Sequence, residues 1–326
     1  MLHNLINRRD FYDLFHITPA VLASFASKLK LSEHQRIKSA WEHVNAPPTN
    51  WWDIPLVRAR WNCLITGTSE TGYHQYISQK WPDHRRDLLA LSLGCGTGHN
   101  ELTWASLKRF SRIDAYDFST QRIQAAVDAA LKGGYSQLIR YAVGDVFSIE
   151  ITENRYDVIM VEQSLHHFSP LDELLSRISA WLKKDGYFVV NEYVGPHRFQ
   201  WTKRQMEAAN GLLSLLPVKY KTLWNSNTVK KSVMRPSHLR MILSDPSEAI
   251  ESDQIVPLLR SKFDIIEFKG YGGSILHLLF NGIAHHFLQN DAETHLYLDI
   301  IFQVEDMLLQ SHDIQHDFII AVCKKR

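Results

Sequence analysis

The stretch Asp87-Leu-Leu-Ala-Leu-Ser-Leu-Gly-Cys-Gly-Thr-Gly98 decides how this chain is read. Leu88 to Leu93 is a short apolar run that fits a strand buried on both faces, and Gly94, Gly96 and Gly98 follow it at once. Asn100 to Phe110 then places Leu102, Ala105 and Leu107 at helical spacing without a proline, so the order is strand, glycine turn, helix. Glycines suit such a turn because a side chain would keep a ligand from the bare backbone N–H groups at the helix N-terminus. A dinucleotide fingerprint, G-x-G-x-x-G, would put its third glycine where His99 stands; the glycine comes one residue early, at Gly98. No Gly-Lys-Ser/Thr ends the turn, so it is not a P-loop either.

The 326 residues are enough for one large domain with an added cap, or for two domains. Lys+Arg 36 against Asp+Glu 35 leaves a net charge of +1 with no basic stripe, so nucleic acid is not implied as a partner. Cys63, Cys95 and Cys323 are an odd number without metal-ligand spacing, which fits a reduced cytoplasm. Polar residues break the first ten positions too early for a signal-peptide core, and no apolar run approaches the roughly 20 residues of a membrane span. A cytoplasmic protein without membrane contact is expected; oligomeric state is not legible.

Working outward, residues 1–80 read as a helical N-terminal cap. Thr18-Pro19 and Ser32 with Gln35 are helix starts, and Asn45 to Asn50 interrupts the pattern. Trp51, Trp52 and Trp61 either line an apolar pocket or glue the cap to the main domain. On the other side, Ser111 to Asp117 is a second strand ending in an acid, and Ser119 caps a helix that stops at Gly133-Gly134. A third strand leads into Gly144-Asp145-Val146. Asp157 to Val161 is a fourth, continued by Glu162-Gln-Ser-Leu-His-His-Phe168. Ser169-Pro170 starts a helix to about Lys184, and Asp185-Gly186 turns into a fifth strand ending at Glu192. From Tyr193 to about Arg260 the alternation lapses into polar, basic and aromatic residues, including Arg198 and Trp201. Loops of that length are uncommon inside domains unless functional, so 193–260 is read as a lid. Two further strands and an amphipathic helix close the chain.

These motifs resemble, in order and each at a strand end, those of the class I S-adenosylmethionine (SAM) dependent methyltransferases of small-molecule type. The resemblance is carried by Leu91-Ser-Leu-Gly-Cys-Gly-Thr-Gly98, Asp117, Gly144-Asp145 and Leu165-His-His-Phe168. It implies an α/β, Rossmann-like doubly wound sheet of seven strands, mostly parallel with the last antiparallel, spanning residues 81–326. It also implies SAM as cofactor. Gly94, Cys95, Gly96, Gly98, Phe118 and Gly144 would then bind the cofactor, with Asp117 on the two ribose hydroxyls, Asp145 on the adenine amino group and the Val146 N–H at the ring. The family commonly carries an acid two residues before the first glycine, where this chain has Ser92. A hydroxyl can hydrogen-bond the methionine ammonium but supplies no countercharge, and Glu162 is the acid read as compensating.

Methyl transfer from SAM to an oxygen or nitrogen of a small molecule is the implied activity. Alternatives are a SAM-binding regulatory protein without catalysis and, against the glycine spacing, a nicotinamide-dependent oxidoreductase. Where the acceptor must lose a proton, histidine suits the task. His166 resembles the general-base position of plant-type O-methyltransferases, and it is either that base or part of the pocket wall. Glu192, at the end of the fifth strand, is the second catalytic candidate. Arg198 and Trp201 are the expected acceptor-side residues. Adjacent histidines in a helix or strand point apart and no H-E-x-x-H occurs, so no metal is assigned.

Overall fold

The structure, a computed structural model, describes residues 49–81 and 85–326. The helix starts read at Thr18-Pro19 and Ser32, and most of the break after Asn45, lie outside these residues. Of the expected cap, two helices are described: α1 (Pro55–Thr66), with proline at its first position and a left-handed Gly67 at its end, and α2 (Tyr73–Lys80). Trp51, ahead of α1, and Trp61, within it, join the core, while Trp52 is exposed. Trp51 packs edge-on to Trp61 with centroids 4.7 Å apart, and Trp61 does the same to Tyr271 at 5.0 Å.

The glycine stretch folds as expected into β1 (Leu88–Leu93), a turn, and α3 (His99–Ser106). There follow β2 (Phe110–Asp117), α4 (Thr120–Gly133), β3 (Ile139–Val143), β4 (Tyr156–Glu162), α5 (Leu171–Trp181) and β5 (Leu182–Tyr193). Ser119 Oγ accepts from Arg122 N–H, and Gly134, at φ 77°, ends α4 in the left-handed conformation that glycine adopts without steric cost. After β5 come α6 (Lys203–Leu215), α7 (His238–Ser244), α8 (Ile255–Lys262), β6 (Phe263–Gly270), α9 (Leu276–Phe280), α10 (Ala292–Gln310) and β7 (Phe318–Lys325).

The seven strands form one sheet in the order β3-β2-β1-β4-β5-β7-β6. Pairing is parallel from β3 to β5, while β7 runs antiparallel to both of its neighbours. Alternate residues of β4 feed two cores: Val158 and Met160 pack on one face, with Trp51 and Ile77 in the same cluster, and Ile159 and Val161 pack on the other with the apolar stripe of α5. Burial on both faces is why the strands read as continuous apolar runs. Among the described residues, no helix is long and apolar enough to cross a membrane.

One local expectation is corrected. The fifth strand begins at Leu182, directly after Trp181, and Asp185-Gly186 lies within it. Tyr156 pairs with Leu182 while Val158 pairs with Tyr187, so Lys183 to Gly186 bulge out of register instead of turning between elements. Leu182 is fully buried and Lys183 Nζ reaches Asp157 Oδ2 at 2.9 Å, which anchors the chain in the sheet earlier than its turn residues suggest. Within the stretch read as a lid, α6, α7 and the start of α8 are helical, and α6 is built into the core. Thr202 and Gln205 cap α6 reciprocally, and Ala209, Leu212 and Leu213 bury one face of it. Those signals were present in the sequence, masked by the polar and basic residues around them.

Candidate functional site

A cavity of about 300 Å³ opens beyond the carboxyl ends of β1 to β4, where ligands bind in open α/β sheets. Its lining brings together Gly94, Asp117, Phe118, Gly144, Asp145 and Val146, all named from the sequence. Arg122, Phe147, Gln163, Ser164, His167, Phe168, Ser169 and Ser247 complete it. Ser92, Cys95, Gly96, Gly98 and Glu162 stand outside the lining.

The three glycines are required for different reasons. A Cβ on Gly94 would lie 2.5 Å from Ser164 Cβ, and one on Gly98 would run into the Tyr141 hydroxyl and sit 2.9 Å from Ala126 Cβ. Packing alone therefore forbids side chains at these two positions. At Gly96 the nearest atom would be Arg122 Nη1 at 3.5 Å, so the protein leaves that side open and only the left-handed φ of 55° favours glycine. Gly96→Ala should consequently fold, losing about 1 to 2 kcal/mol in thermal or urea unfolding for the left-handed residue. Any ligand that meets the turn backbone should bind the variant severalfold or more weakly, because the added methyl group projects into the open approach to the turn. Equal affinity for SAM in Gly96→Ala and the parent, by calorimetry, would show that no ligand approaches there.

Asp117 ends β2 with its carboxylate spread over the backbone: Oδ2 accepts from Gly96 N–H and Oδ1 from Ser119 N–H, both at 2.8 Å. It thus ties the glycine turn to the start of α4 while still facing the cavity. Asp145 Oδ1 accepts from Phe147 N–H at 2.9 Å, the hydrogen bond of a turn aspartate, and also lines the cavity. Each carboxylate has accepting capacity beyond these hydrogen bonds at the cavity wall.

After β4 the chain turns through a short 3₁₀ segment, Leu165–His167, and is held there by Glu192 from the end of β5. This fully buried carboxylate accepts from the N–H groups of Ser164 at 3.0 Å, Leu165 at 2.5 Å and Tyr193 at 2.6 Å, and it binds His166 Nδ1. His166 Nε2 faces Glu248 Oε1 at 3.5 Å. Burial opposes a charge on His166, but the bonded Glu192 carboxylate, with Glu248 and Asp245 nearby, carries its pKa up to about 9. Burial likewise pushes Glu248 up to about 7. The His167 pKa falls well below its ordinary value through burial, with His166 and Arg122 adding to the effect. The two rings lie 4.0 Å apart, centroid to centroid, and are tilted by 43°, so the expectation that neighbouring histidines diverge is corrected: the 3₁₀ turn brings them side by side. His166, His167 and Glu248 bring possible ligand atoms within 4.8 Å of one another, a juxtaposition that sequence spacing could not disclose.

The remaining sequence candidates divide. Glu162 has both oxygens engaged, accepting from Tyr73 Oη at 2.7 Å and Trp104 Nε1 at 3.0 Å, and it clamps α2 to the sheet. Ser92 Oγ donates to Glu101 Oε1 at 2.5 Å. Arg198 is buried within electrostatic reach of Asp245 and Glu248. Trp201, only 6% exposed, stands outside the cavity lining and stacks on Phe199, which meets Tyr193 edge-on. Sequence reading missed Glu101 and Glu248. Glu101 could have been noticed as an acid in the first turn after the glycines, whereas Glu248 gave no signal within the polar stretch around it.

Residues 91–190 match the family model described as a methyltransferase domain. The chain is 27% identical over 119 residues to a demethylmenaquinone methyltransferase of Bacteroides fragilis, covering 36% of this chain and 49% of that protein. It is 23% identical over 117 residues to the uncharacterized methyltransferase YcgJ of Bacillus subtilis, covering 36% and 45%. The chain thus spans about half the length of the curated relatives it matches. Among solved structures, phosphoethanolamine N-methyltransferase 2 of Haemonchus contortus, in complex with phosphomonomethylethanolamine and S-adenosylhomocysteine, superposes with a TM-score of 0.50 at 15% identity. The superposition covers 89% of this chain and 60% of that one. That likeness is one of fold.

Proposed function

The chain carries a class I methyltransferase domain, and from that premise we propose that it transfers a methyl group from SAM to an oxygen or nitrogen of a small molecule. The observation that supports this reading most is the joint presence of Gly94, Asp117, Gly144 and Asp145 around one cavity at the ends of β1, β2 and β3. Bound there, SAM would supply a methyl group already activated by its sulfonium. The chain's own tasks are then to bind, to align the acceptor and to keep water out. Asp117 would accept from the ribose hydroxyls and Asp145 from the adenine amino group, while Gly96 leaves the backbone approachable.

His166 is the group proposed to take the acceptor's proton, at Nε2, with Glu192 fixing its ring through Nδ1. Residues 81–326 form the methyltransferase domain in this reading, 1–80 its cap, and 193–260 the acceptor side. Arg198 would act there directly, and Trp201 from behind through Phe199 and Tyr193. S-adenosylhomocysteine should bind the purified protein and NAD should not. Asp117→Ala should weaken that binding by about 1.5 to 3 kcal/mol, the usual worth of a hydrogen bond to a charged group. Calorimetry giving the same affinity for a folded Asp117→Ala protein would remove the ribose assignment. Formation of S-adenosylhomocysteine with an added small-molecule acceptor separates an enzyme from a cofactor-binding protein without catalysis.

A further inference from the structure

Beneath the glycine turn lies a buried acid that nothing described so far uses. Glu101, in the first turn of α3, is 1% exposed. One carboxylate oxygen accepts from Ser92 Oγ at 2.5 Å, and the other, Oε2, has no hydrogen-bond partner among the described residues. A buried carboxylate oxygen left unpaired is costly, and such a group invites a donor supplied from outside the chain.

The groups around Glu101 offer no countercharge. Ser92 approaches from β1, Cys95 from the turn, Asp117 from β2, Tyr141 from β3 and Glu162 from β4. The thiol and the Tyr141 phenol are both pushed up by burial and stay neutral. From α2, Tyr73 donates to Glu162, and His74 Nε2 lies 3.6 Å from Glu162 Oε1. Burial, with His99 of α3 adding to it, takes the His74 pKa down to about 3, so this imidazole is neutral. Arg122 of α4 faces Asp117 and Asp245. Burial raises the Glu101 carboxyl to about 8, with the Ser92 hydrogen bond opposing and Glu162 adding to the rise, and burial raises Glu162 to about 7. Two acids thus share a dry pocket without a cation. Only Glu101 has a carboxylate oxygen to spare, because both oxygens of Glu162 are hydrogen-bonded.

We propose that Glu101, held by Ser92, is the counter-ion for the α-ammonium group of the methyl donor, so that the acid absent from position 92 is supplied by the following helix. The proposal rests on the SAM-dependent reading above and adds to it the residue that recognises the amino-acid end. Binding an ammonium would draw Glu101 into its ionised form, so a proton leaves the protein as the ligand enters.

Calorimetry of S-adenosylhomocysteine binding at pH 6 to 8, in buffers of different ionisation enthalpy, tests this. The comparison ligand is 5′-methylthioadenosine, which lacks the amino-acid group. S-adenosylhomocysteine should bind more tightly as pH rises toward 8, with up to about one proton released per ligand, while methylthioadenosine shows neither effect. Glu101→Gln should weaken S-adenosylhomocysteine roughly tenfold to hundredfold, abolish proton release, and leave methylthioadenosine unchanged. Ser92→Asp added to Glu101→Gln should restore the affinity, a recovery that a purely structural role of Glu101 would not give. S-adenosylhomocysteine binding with no pH dependence and no response to Glu101→Gln overturns this inference alone. Failure of both ligands to bind the folded parent protein at any pH overturns the cofactor reading and takes this inference with it.

Discussion

Replacement of Glu192 by alanine should cost the fold about 3 to 5 kcal/mol and abolish methyl transfer, because it strands a buried charge and several backbone donors at once. The carboxylate is fully buried and accepts from Ser164, Leu165 and Tyr193 N–H as well as pairing with His166. An exposed ion pair would be worth at most about 1 kcal/mol, so the size of the loss distinguishes a keystone from a surface contact. Glu192→Gln keeps the shape and an accepting oxygen and should fold. In that variant the His166 pKa, by imidazole NMR, should drop from about 9 toward or below its ordinary value, because burial then acts with less opposition. The pairing also sets a pH dependence of stability. A histidine whose folded pKa is raised contributes fully below its unfolded value near 6.5 and loses that contribution as pH rises through about 9. The stability advantage of the parent over Glu192→Gln should therefore shrink between those limits. An alanine variant that unfolds within about 0.5 kcal/mol of the parent, below the usual worth of even one hydrogen bond to a charge, would show that the loop after β4 is held by something else.

His166→Ala should cut kcat by about 10² to 10⁴ while S-adenosylhomocysteine still binds, the typical worth of general-base assistance. The ring is buried, fixed at Nδ1 by Glu192 and directed at Nε2 toward Glu248, a group less buried than itself. With a pKa near 9 it is protonated in the free protein at pH 7, so the fraction able to accept a proton grows about tenfold per unit up to that value. The parent's kcat/KM should rise with unit slope from about pH 7 and level off near 9. In His166→Ala that rise should be lost, and the remaining activity should reflect alignment alone. Most of kcat surviving in a folded His166→Ala protein from pH 6 to 9 would leave His166 a structural partner of Glu192.

The glycine turn was legible because its constraints are local. Strand, turn and helix follow from apolar spacing and three glycines within a dozen residues, and Asp117 and Gly144-Asp145 stand at strand ends that the same periodicity marks. The helix α6 was also written locally, in a capping box and an apolar face, and was passed over because charge and aromatic content dominated the stretch. Trp201, expected on the acceptor side, packs its ring on Phe199 and His277 outside the cavity lining, a placement that composition does not disclose.

By itself the sequence determined the order of strands and helices from β1 to β5, the place of the glycine turn and the acids at the ends of β2 and β3, since each depends on residues within one or two turns of chain. Only the tertiary structure decided which distant groups share a dry pocket. Glu192 reaches His166 because β4 and β5 are neighbours in the sheet, and Glu248 faces the same ring from a segment far along the chain. Ser92 meets Glu101 because the glycine turn folds α3 back over the end of β1. Charge states follow from that proximity and burial, and neither is a property of any short stretch: the same glutamate stays ionised in water and takes up a proton when the fold removes the water and offers no cation.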